Sequence, residues 1–514
     1  MSDKKQTRFD RGSGILLHIT SLPGKYGIGN LGKCAHDFVD YLKSGGQKYW
    51  QILPVGPVSS GYSYSPYSSY SSFAGNEHLI DPASLQSEDW MKTDILAHLT
   101  EKENVPVIDY TSIESEIKLI LKFAFNDFMQ NRSEQDRISF ESFCSEQSYW
   151  LDSFSLFKAL ADKFGSLDWK SWDEELRNRN TEALNRYISL MAREILLIKF
   201  TQYLFDRQWR KFKKYCLEKN ILLIGDIPIY AGMDSADVWM NPDIFQFSED
   251  LTPTGVSGVP PDYFSATGQK WGTPLYKWFE NNSNNIYTYD WWHNRLKRLF
   301  NLVDIVRIDH FRAFESYWSI DPDSSDGRIG RWERGPGEDF FNFLKKKMET
   351  LPVIAEDLGI ITREVTELRE KTGFPGMKIL QFAFDQQPEN PYLPENITDP
   401  NCVIYTGTHD NNTSVGWFFN DITDHQTRNY IKSYLKIKNE EEFLWQFISI
   451  AISSSADISI IPLQDLLGLP AEFRLNTPGT SSELNWRWKS VPDSLNNERM
   501  LRLRHLCEMA GRKN

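Results

Sequence analysis

Arg307 and Asp309 stand two residues apart in the run Val303–Asp304–Ile305–Val306–Arg307–Ile308–Asp309–His310. In an extended chain that spacing puts both side chains on one face, with Val306 and Ile308 on the other. A cation and a carboxylate therefore stand side by side at the C-terminal end of a strand-like run. Two further apolar runs also end in acids: Pro352–Val–Ile–Ala ahead of Glu356 and Asp357, and 402–408 ahead of His409 and Asp410. A fourth, 221–225, ends at Asp226. Several carboxylates gathered at one place suit glycoside chemistry, in which one attacks the anomeric carbon and a second, kept protonated by its surroundings, donates to the leaving oxygen. Divalent-cation binding is the rival use of clustered acids. A surface ion pair at a strand end is the plain structural alternative for Arg307 and Asp309.

The runs that carry these acids must be strands whose C-terminal ends face one another. Eight strand patterns occur, near 13–22, 48–57, 221–230, 303–309, 352–356, 377–384, 402–410 and 458–465, with helical periodicity in most of the gaps. Strands alternating with helices predict a parallel sheet. Eight of them predict an α/β fold, a (β/α)8 TIM barrel, with its chemistry at the C-terminal ends of the strands. Residues 84–215 are rich in Lys and Glu and carry helical rather than strand patterns, so they are expected to form a mostly helical insertion in a single catalytic domain spanning 1–514. Residues 231–300 are expected to form a long aromatic loop region at the active site. Only 46 residues follow Gly468, so a C-terminal β-sandwich of about 100 residues is not expected.

The formal charge of −13 and the pI near 5.3 argue against nucleic acid as a partner, because a phosphate-binding surface is basic. The five cysteines are scattered, and no CxxC or Cys/His cluster occurs, so neither a zinc site nor a disulfide framework is expected. The N-terminal stretch lacks the apolar segment of a secretory signal, and no apolar run reaches membrane-spanning length. A cytoplasmic protein with no membrane partner is therefore expected. No dinucleotide or Walker motif occurs, and no cofactor is expected. The sequence leaves the oligomeric state open, a monomer included. Aromatic residues make up 14% of the chain, which serves either a generous core or platforms for flat apolar ligand faces such as sugar rings.

Specific segments sharpen this reading. GILLHITSLPGKYGIG, SPYSSYSSFAGN, GDIPIYAG, GVPPDYFSATGQKWGTPLYKW, VRIDHFRA, VIAEDLGIIT, YTGTHDNNT and RLNTPGT together resemble the amylomaltase (disproportionating enzyme) family of 4-α-glucanotransferases, in the α-amylase superfamily. The resemblance runs from Gly14 to about Trp488. It implies retaining transfer of α-1,4-glucan segments between maltodextrins, with Asp309 as nucleophile, Glu356 as general acid/base and Asp410 as the third carboxylate, holding sugar hydroxyls. Arg307 matches the partner of the nucleophile and His409 a sugar hydroxyl donor. Tyr67 matches a stacking tyrosine, with Ser65 beside it. Tyr263, Phe264 and Trp271 match an aromatic loop over the glucan groove, with Asp262 as a polar contact; Asp226 joins them as an expected substrate contact. Asp357 is expected to face away. The chain departs from the family pattern at Asn412, at Ser59–Ser63 and at Glu483–Leu484, none of which is one of the three carboxylates. Two alternatives remain: a glucan hydrolase of the same superfamily, and a glucan-binding scaffold without catalysis.

Overall fold

The computed structural model describes residues 8–512 other than 89, 93–94, 262–264 and 481. Eight short strands form one parallel sheet: β1 (Gly12–Leu16), β2 (Tyr49–Gln51), β3 (Leu222–Ile227), β4 (Ile305–Ile308), β5 (Val353–Ala355), β6 (Gly376–Ile379), β7 (Cys402–Tyr405) and β8 (Ile458–Pro462). Their order is β5-β4-β3-β2-β1-β8-β7-β6, so chain neighbours are sheet neighbours throughout. The two ends meet where the Ala355 N–H donates to the Pro375 carbonyl at 2.9 Å, which brings β5 beside β6 and closes a barrel. Side chains alternate between the outer helices and the barrel interior. Leu16, Tyr49, Ile224, Ile305, Ile354, Met377, Val403, Tyr405 and Ile458 fill that interior. Moving one step of two along β3 and β4 from Ile224 and Ile305 reaches Asp226 and Arg307, so the layer above the apolar floor is polar.

Helices cover the outside. Lys33–Ser44 follows β1, Ala192–Glu218 leads into β3, Ile286–Leu302 into β4, Gly337–Lys347 into β5, Arg363–Thr372 into β6, and Phe443–Ser453 into β8. The β6–β7 connection carries only two short 3-10 turns among its described residues, so one α-helical position of the ideal barrel is unfilled. Between Pro82–Ser87 and β3, every described element is helical, including Tyr110–Asn131, Glu134–Glu146 and Ser148–Phe164. The second of these begins at a reciprocal cap between Ser133 and Asp136, a signal of a helix start.

The stretch 231–300 is not simply loop. It holds the helix Ala236–Met240, the strands Val256–Val259 and Gln269–Pro274, and the barrel helix Ile286–Leu302. The two strands join Ser316–Ile320 and Gly330–Arg334, from the β4–β5 connection, in a four-stranded antiparallel sheet, with the 330–334 and 269–274 strands at its edges. After β8 the chain ends in the helix Asn497–Met509, which packs on Lys33–Ser44 and Phe443–Ser453. Among the described residues no helix is long and apolar enough to cross a membrane.

Candidate active site

A cleft of about 540 Å³ opens at the C-terminal ends of the strands, lined by Asp309, Glu356 and Asp410 together. Arg307 sits beneath it, almost wholly buried. Its two terminal nitrogens fork: one donates to Asp226 Oδ2 at 2.6 Å, the other to Asp309 Oδ1 at 2.8 Å. The β4 pleat puts both Arg307 and Asp309 over the barrel mouth, and the Asp309 N–H donates to the Ile227 carbonyl of the neighbouring strand end. Asp309 keeps 32% of its side chain exposed, toward the cleft.

Glu356 follows the apolar β5 and is buried. Two backbone N–H groups hold its carboxyl: His310 donates to Oε2 at 2.7 Å and Leu358 to Oε1 at 2.8 Å. The Phe311 N–H also donates to the Glu356 carbonyl at 3.1 Å. Burial, and then the charge of Asp309, push Glu356 well above the usual carboxylate range, against the pull of Arg307 and the two N–H groups. Burial also pushes Asp309 up; Arg307 opposes this most, while Asp226 and Asp410 add to it. The two carboxyl groups titrate as a pair. Their order follows from their contacts: Asp309 has the guanidinium and ionises first, and Glu356 keeps the proton.

Asp410 sits on the loop after β7. That loop is pinned from below by buried Asp465, which accepts from the Thr406 hydroxyl at 2.6 Å and from the Ser414 N–H and hydroxyl at 2.6 and 2.7 Å. Burial works against the Asp410 charge. His409, with Nε2 3.3 Å from Oδ2, Asn476, donating to Oδ1 at 2.6 Å, and Arg307 overcome it and hold Asp410 at about 2. Three carboxyl groups in one cleft thus have three different settings: one protonated, one paired with a cation, one firmly ionised.

The aromatic residues frame this centre. Tyr67 stacks on His409 with ring centroids 5.0 Å apart and 14° between planes. Its hydroxyl donates to Asp226 Oδ2 at 2.7 Å, and the Ser65 hydroxyl accepts from the Tyr67 N–H at 3.3 Å, fixing the turn that carries the ring. Trp271, 39% exposed, stands at the mouth, with its ring 5.0 Å from that of His310 and perpendicular to it. Asp262, Tyr263 and Phe264 lie outside the described residues.

A sequence profile of the 4-alpha-glucanotransferase family matches residues 17–493. The 4-alpha-glucanotransferase of Clostridium butyricum is 43% identical over 498 residues, covering 96% of this chain and all of that protein. The chain belongs to the 4-alpha-glucanotransferase family. The Thermus thermophilus 4-alpha-glucanotransferase is 42% identical across 98% of this chain and 99% of its own. Among solved structures, the amylomaltase from Streptococcus agalactiae in complex with acarbose superposes with a TM-score of 0.92 at 35% identity, covering 98% of this chain and all of that one. The expected class is therefore right: this is a glycosyl-transferring enzyme with a (β/α)8 barrel, and the hydrolase and scaffold alternatives are not favoured.

Within this 4-α-glucanotransferase fold, the sequence-predicted residues divide. Asp309, Glu356, Asp410, Arg307, His409, Tyr67, Ser65 and Trp271 all line the one cleft. Asp226, expected to touch substrate, does not line it. Its side chain is fully buried below the cleft, where it acts on Arg307 and Tyr67. Asp357 faces away, accepting from the Met377 N–H at 2.7 Å and pairing with Arg369. Asn412 donates to Asp421 at 3.0 and 3.2 Å. Sequence reasoning assigned no role to Asn476, Arg474 or Trp486. Asn476 and Trp486 line the cleft, and Arg474 donates to the Asp410 carbonyl. The signal was available: RLNTPGT and NWRW follow the eighth strand, at the same end of the barrel as the other site loops.

Proposed function

We propose that this chain moves α-1,4-glucan segments from a donor maltodextrin to the 4-hydroxyl of an acceptor glucose or glucan, through a covalent glycosyl intermediate on Asp309. The observation that carries the reading is the opposed setting of the two carboxyl groups, Asp309 on Arg307 and Glu356 buried and proton-retaining, in one cleft. Glu356 gives its proton to the leaving glycosidic oxygen while Asp309 attacks the anomeric carbon. The acceptor 4-hydroxyl then gives a proton back to Glu356 and displaces Asp309, so two inversions return the α configuration. Asp410, held ionised, accepts hydroxyl hydrogen bonds from the sugar beside the reacting carbon, and His409 donates to it. Tyr67 and Trp271 offer ring faces to the glucan, with Ser65 as a polar contact at the same wall. A covering role for Asp262, Tyr263 and Phe264 rests on the family resemblance alone.

In this reading residues 1–514 form one catalytic barrel, 84–215 are an insertion in it, and 231–300 shape the active-site mouth. The five cysteines are all unpaired, which fits the proposed cytoplasmic location. Water and the acceptor hydroxyl compete for the intermediate, and positioning the acceptor is worth an effective molarity on the order of 10⁵ M or more. With maltotriose as sole substrate, the expected products are glucose and a ladder of longer maltodextrins at nearly constant total reducing ends. Reducing ends rising in step with donor consumption would mean hydrolysis and would overturn the proposal.

A further inference from the structure

Three residues at the catalytic cleft hold backbone that residues with side chains seldom adopt: Ser63, Tyr64 and Trp486, with φ of 51°, 58° and 65°. Ser63 and Trp486 line the cleft, and Tyr64 is buried behind it. Left-handed backbone at a bulky side chain persists only where the surroundings over-determine it. For Tyr64 and Trp486 the surroundings are one side chain, Tyr110, with Arg487 beside it. We propose that Tyr64, Tyr110 and Arg487 are positioning residues: they form a stack behind the cleft that fixes where Tyr67 and Trp486 stand, and so sets the affinity for glucan. This deepens the functional reading above and rests on it.

The stack is close and anchored at both ends. The Tyr64 and Tyr110 rings lie 4.2 Å apart between centroids, with 9° between planes. The Arg487 guanidinium is 5.5 and 5.8 Å from those centroids, within cation–π range. The Tyr110 hydroxyl donates to the Trp486 carbonyl at 3.2 Å. Tyr110 opens the helix Tyr110–Asn131, whose start is capped by Asp109, accepting from the Ser112 N–H at 3.2 Å, so the ring rises from a rigid element. The residues before it are laced to the chain after Trp486: the Ile108 N–H donates to the Arg487 carbonyl at 2.8 Å and the Lys489 N–H to the Pro106 carbonyl at 3.0 Å. One side of the stack therefore holds 486–489, and the other holds the turn at 63–64.

What it holds up is the aromatic wall. Tyr67 follows Tyr64 by three residues, and its ring is 5.8 Å from that of Trp486. Both rings stand against His409, at 5.0 and 6.0 Å. Behind them, the space left among Tyr64, Pro66, Tyr110 and Trp486 is about 10 Å³, room for one water at most. Packing that tight transmits a displacement. Without the Tyr64 ring, the turn is free to leave its left-handed conformation and to carry Tyr67 with it. Tyr64, Tyr110 and Arg487 do not themselves line the cleft, so they act through the rings that do.

The experiment measures kcat and KM for maltotriose, the pH profile and the melting temperature of full-length Tyr64→Ala, Tyr64→Phe and Arg487→Leu. The expected result is a KM raised about 3- to 10-fold in Tyr64→Ala and about 2- to 5-fold in Arg487→Leu, matching the worth of a stacked ring pair and of a cation–π contact. With Asp309 and Glu356 untouched, kcat and the acid limb of the pH profile should change little, the pattern of lost binding rather than lost chemistry. Tyr64→Phe, which keeps the ring, should retain the wild-type KM. A merely structural role reads differently: part of the enzyme is inactive, so kcat falls while KM stays. That pattern, or an unchanged KM in the variants that fold, overturns the proposal. If Tyr64→Ala does not fold, Arg487→Leu, at a half-buried side chain, decides alone. Absence of maltotriose transfer in the wild-type enzyme would instead defeat the functional reading itself.

Discussion

The Arg307 fork makes a test with two opposite signs. Arg307→Lys keeps a positive charge but presents it as a single point, which cannot reach two carboxylates in the geometry of a planar guanidinium. Of the bonds at 2.6 and 2.8 Å to Asp226 and Asp309, one is lost. A hydrogen bond to a charged group contributes roughly 1.5–3 kcal/mol. If the ammonium stays with fully buried Asp226, where an unpaired charge costs most, the loss falls on Asp309. That corresponds to a drop of about 10- to 150-fold in kcat/KM. Arg307 is also the strongest influence holding the Asp309 carboxyl down. Weakening it raises the pKa of Asp309, which in the proposed mechanism must be ionised to attack. Activity is then lost at a higher pH as the solution is acidified, so the acid limb of the pH profile moves up. Asp226→Asn works the other way. It removes a charge that pushes Asp309 up and leaves Arg307 undivided, so the acid limb moves down. The assay is initial glucose release from maltotriose across pH, with melting temperatures recorded alongside. Acid limbs that move in the same direction in the two variants, or do not move, would refute the argument, whatever happens to the rates.

Glu356→Gln should lower maltotriose transfer by about 10²–10⁴-fold, the usual worth of a general acid. An α-maltosyl fluoride donor, whose leaving group needs no proton, should restore the first step in that variant but not in Asp309→Asn, as read by fluoride release. The raised pKa of Glu356 predicts that wild-type activity persists above the ordinary carboxylate range and falls only as pH rises through it. Asn476→Ala frees Asp410 Oδ1 and should cost about 10- to 150-fold in kcat/KM, the equivalent of a charge-assisted bond of 1.5–3 kcal/mol, with little change in melting temperature. Gly75→Ala is a stability test: the added methyl would stand 2.2 Å from the Phe205 ring, and overpacking of this kind costs about 1–3 kcal/mol in chemical denaturation.

The barrel was legible because its strands are buried on both faces and read as short runs of Val, Ile and Leu, such as Ile305–Ile308 and Ile458–Pro462. The helical periodicity at 113–130 was legible for the same kind of reason, and the helix Tyr110–Asn131 contains it. The antiparallel sheet at the mouth was not. The pairing that joins its two hairpins, 256–259 with 316–320, spans a long sequence distance, and Gln269–Pro274 has little of the apolar alternation that announces a strand. Asp226 was misjudged because its position at a strand end is the same as that of the true cleft residues. Only the depth of its side chain, set by the β3–β4 register Asp226↔Arg307, turns it toward the arginine rather than the cleft. Asn476 was missed because a neutral amide draws attention only once the carboxylate it binds is known to be there.

The spacing of the two central carboxyl groups is also beyond the sequence, because it is set by backbone. His310 has φ of 54°, in the left-handed region, which a histidine adopts at a cost. Such strain persists only where the surroundings over-determine it. Here the surroundings are visible. The turn after Asp309 sends the His310 N–H into the Glu356 carboxyl and the Phe311 N–H into the Glu356 carbonyl. Asp309 and Glu356 are therefore tied through adjacent residues of one turn rather than left to side-chain packing. A rotation of that turn moves both. The His310 ring, edge-on to Trp271, connects the same turn to the aromatic wall at the mouth. A glucan resting on Trp271 would thus bear on the turn that ties Asp309 to Glu356.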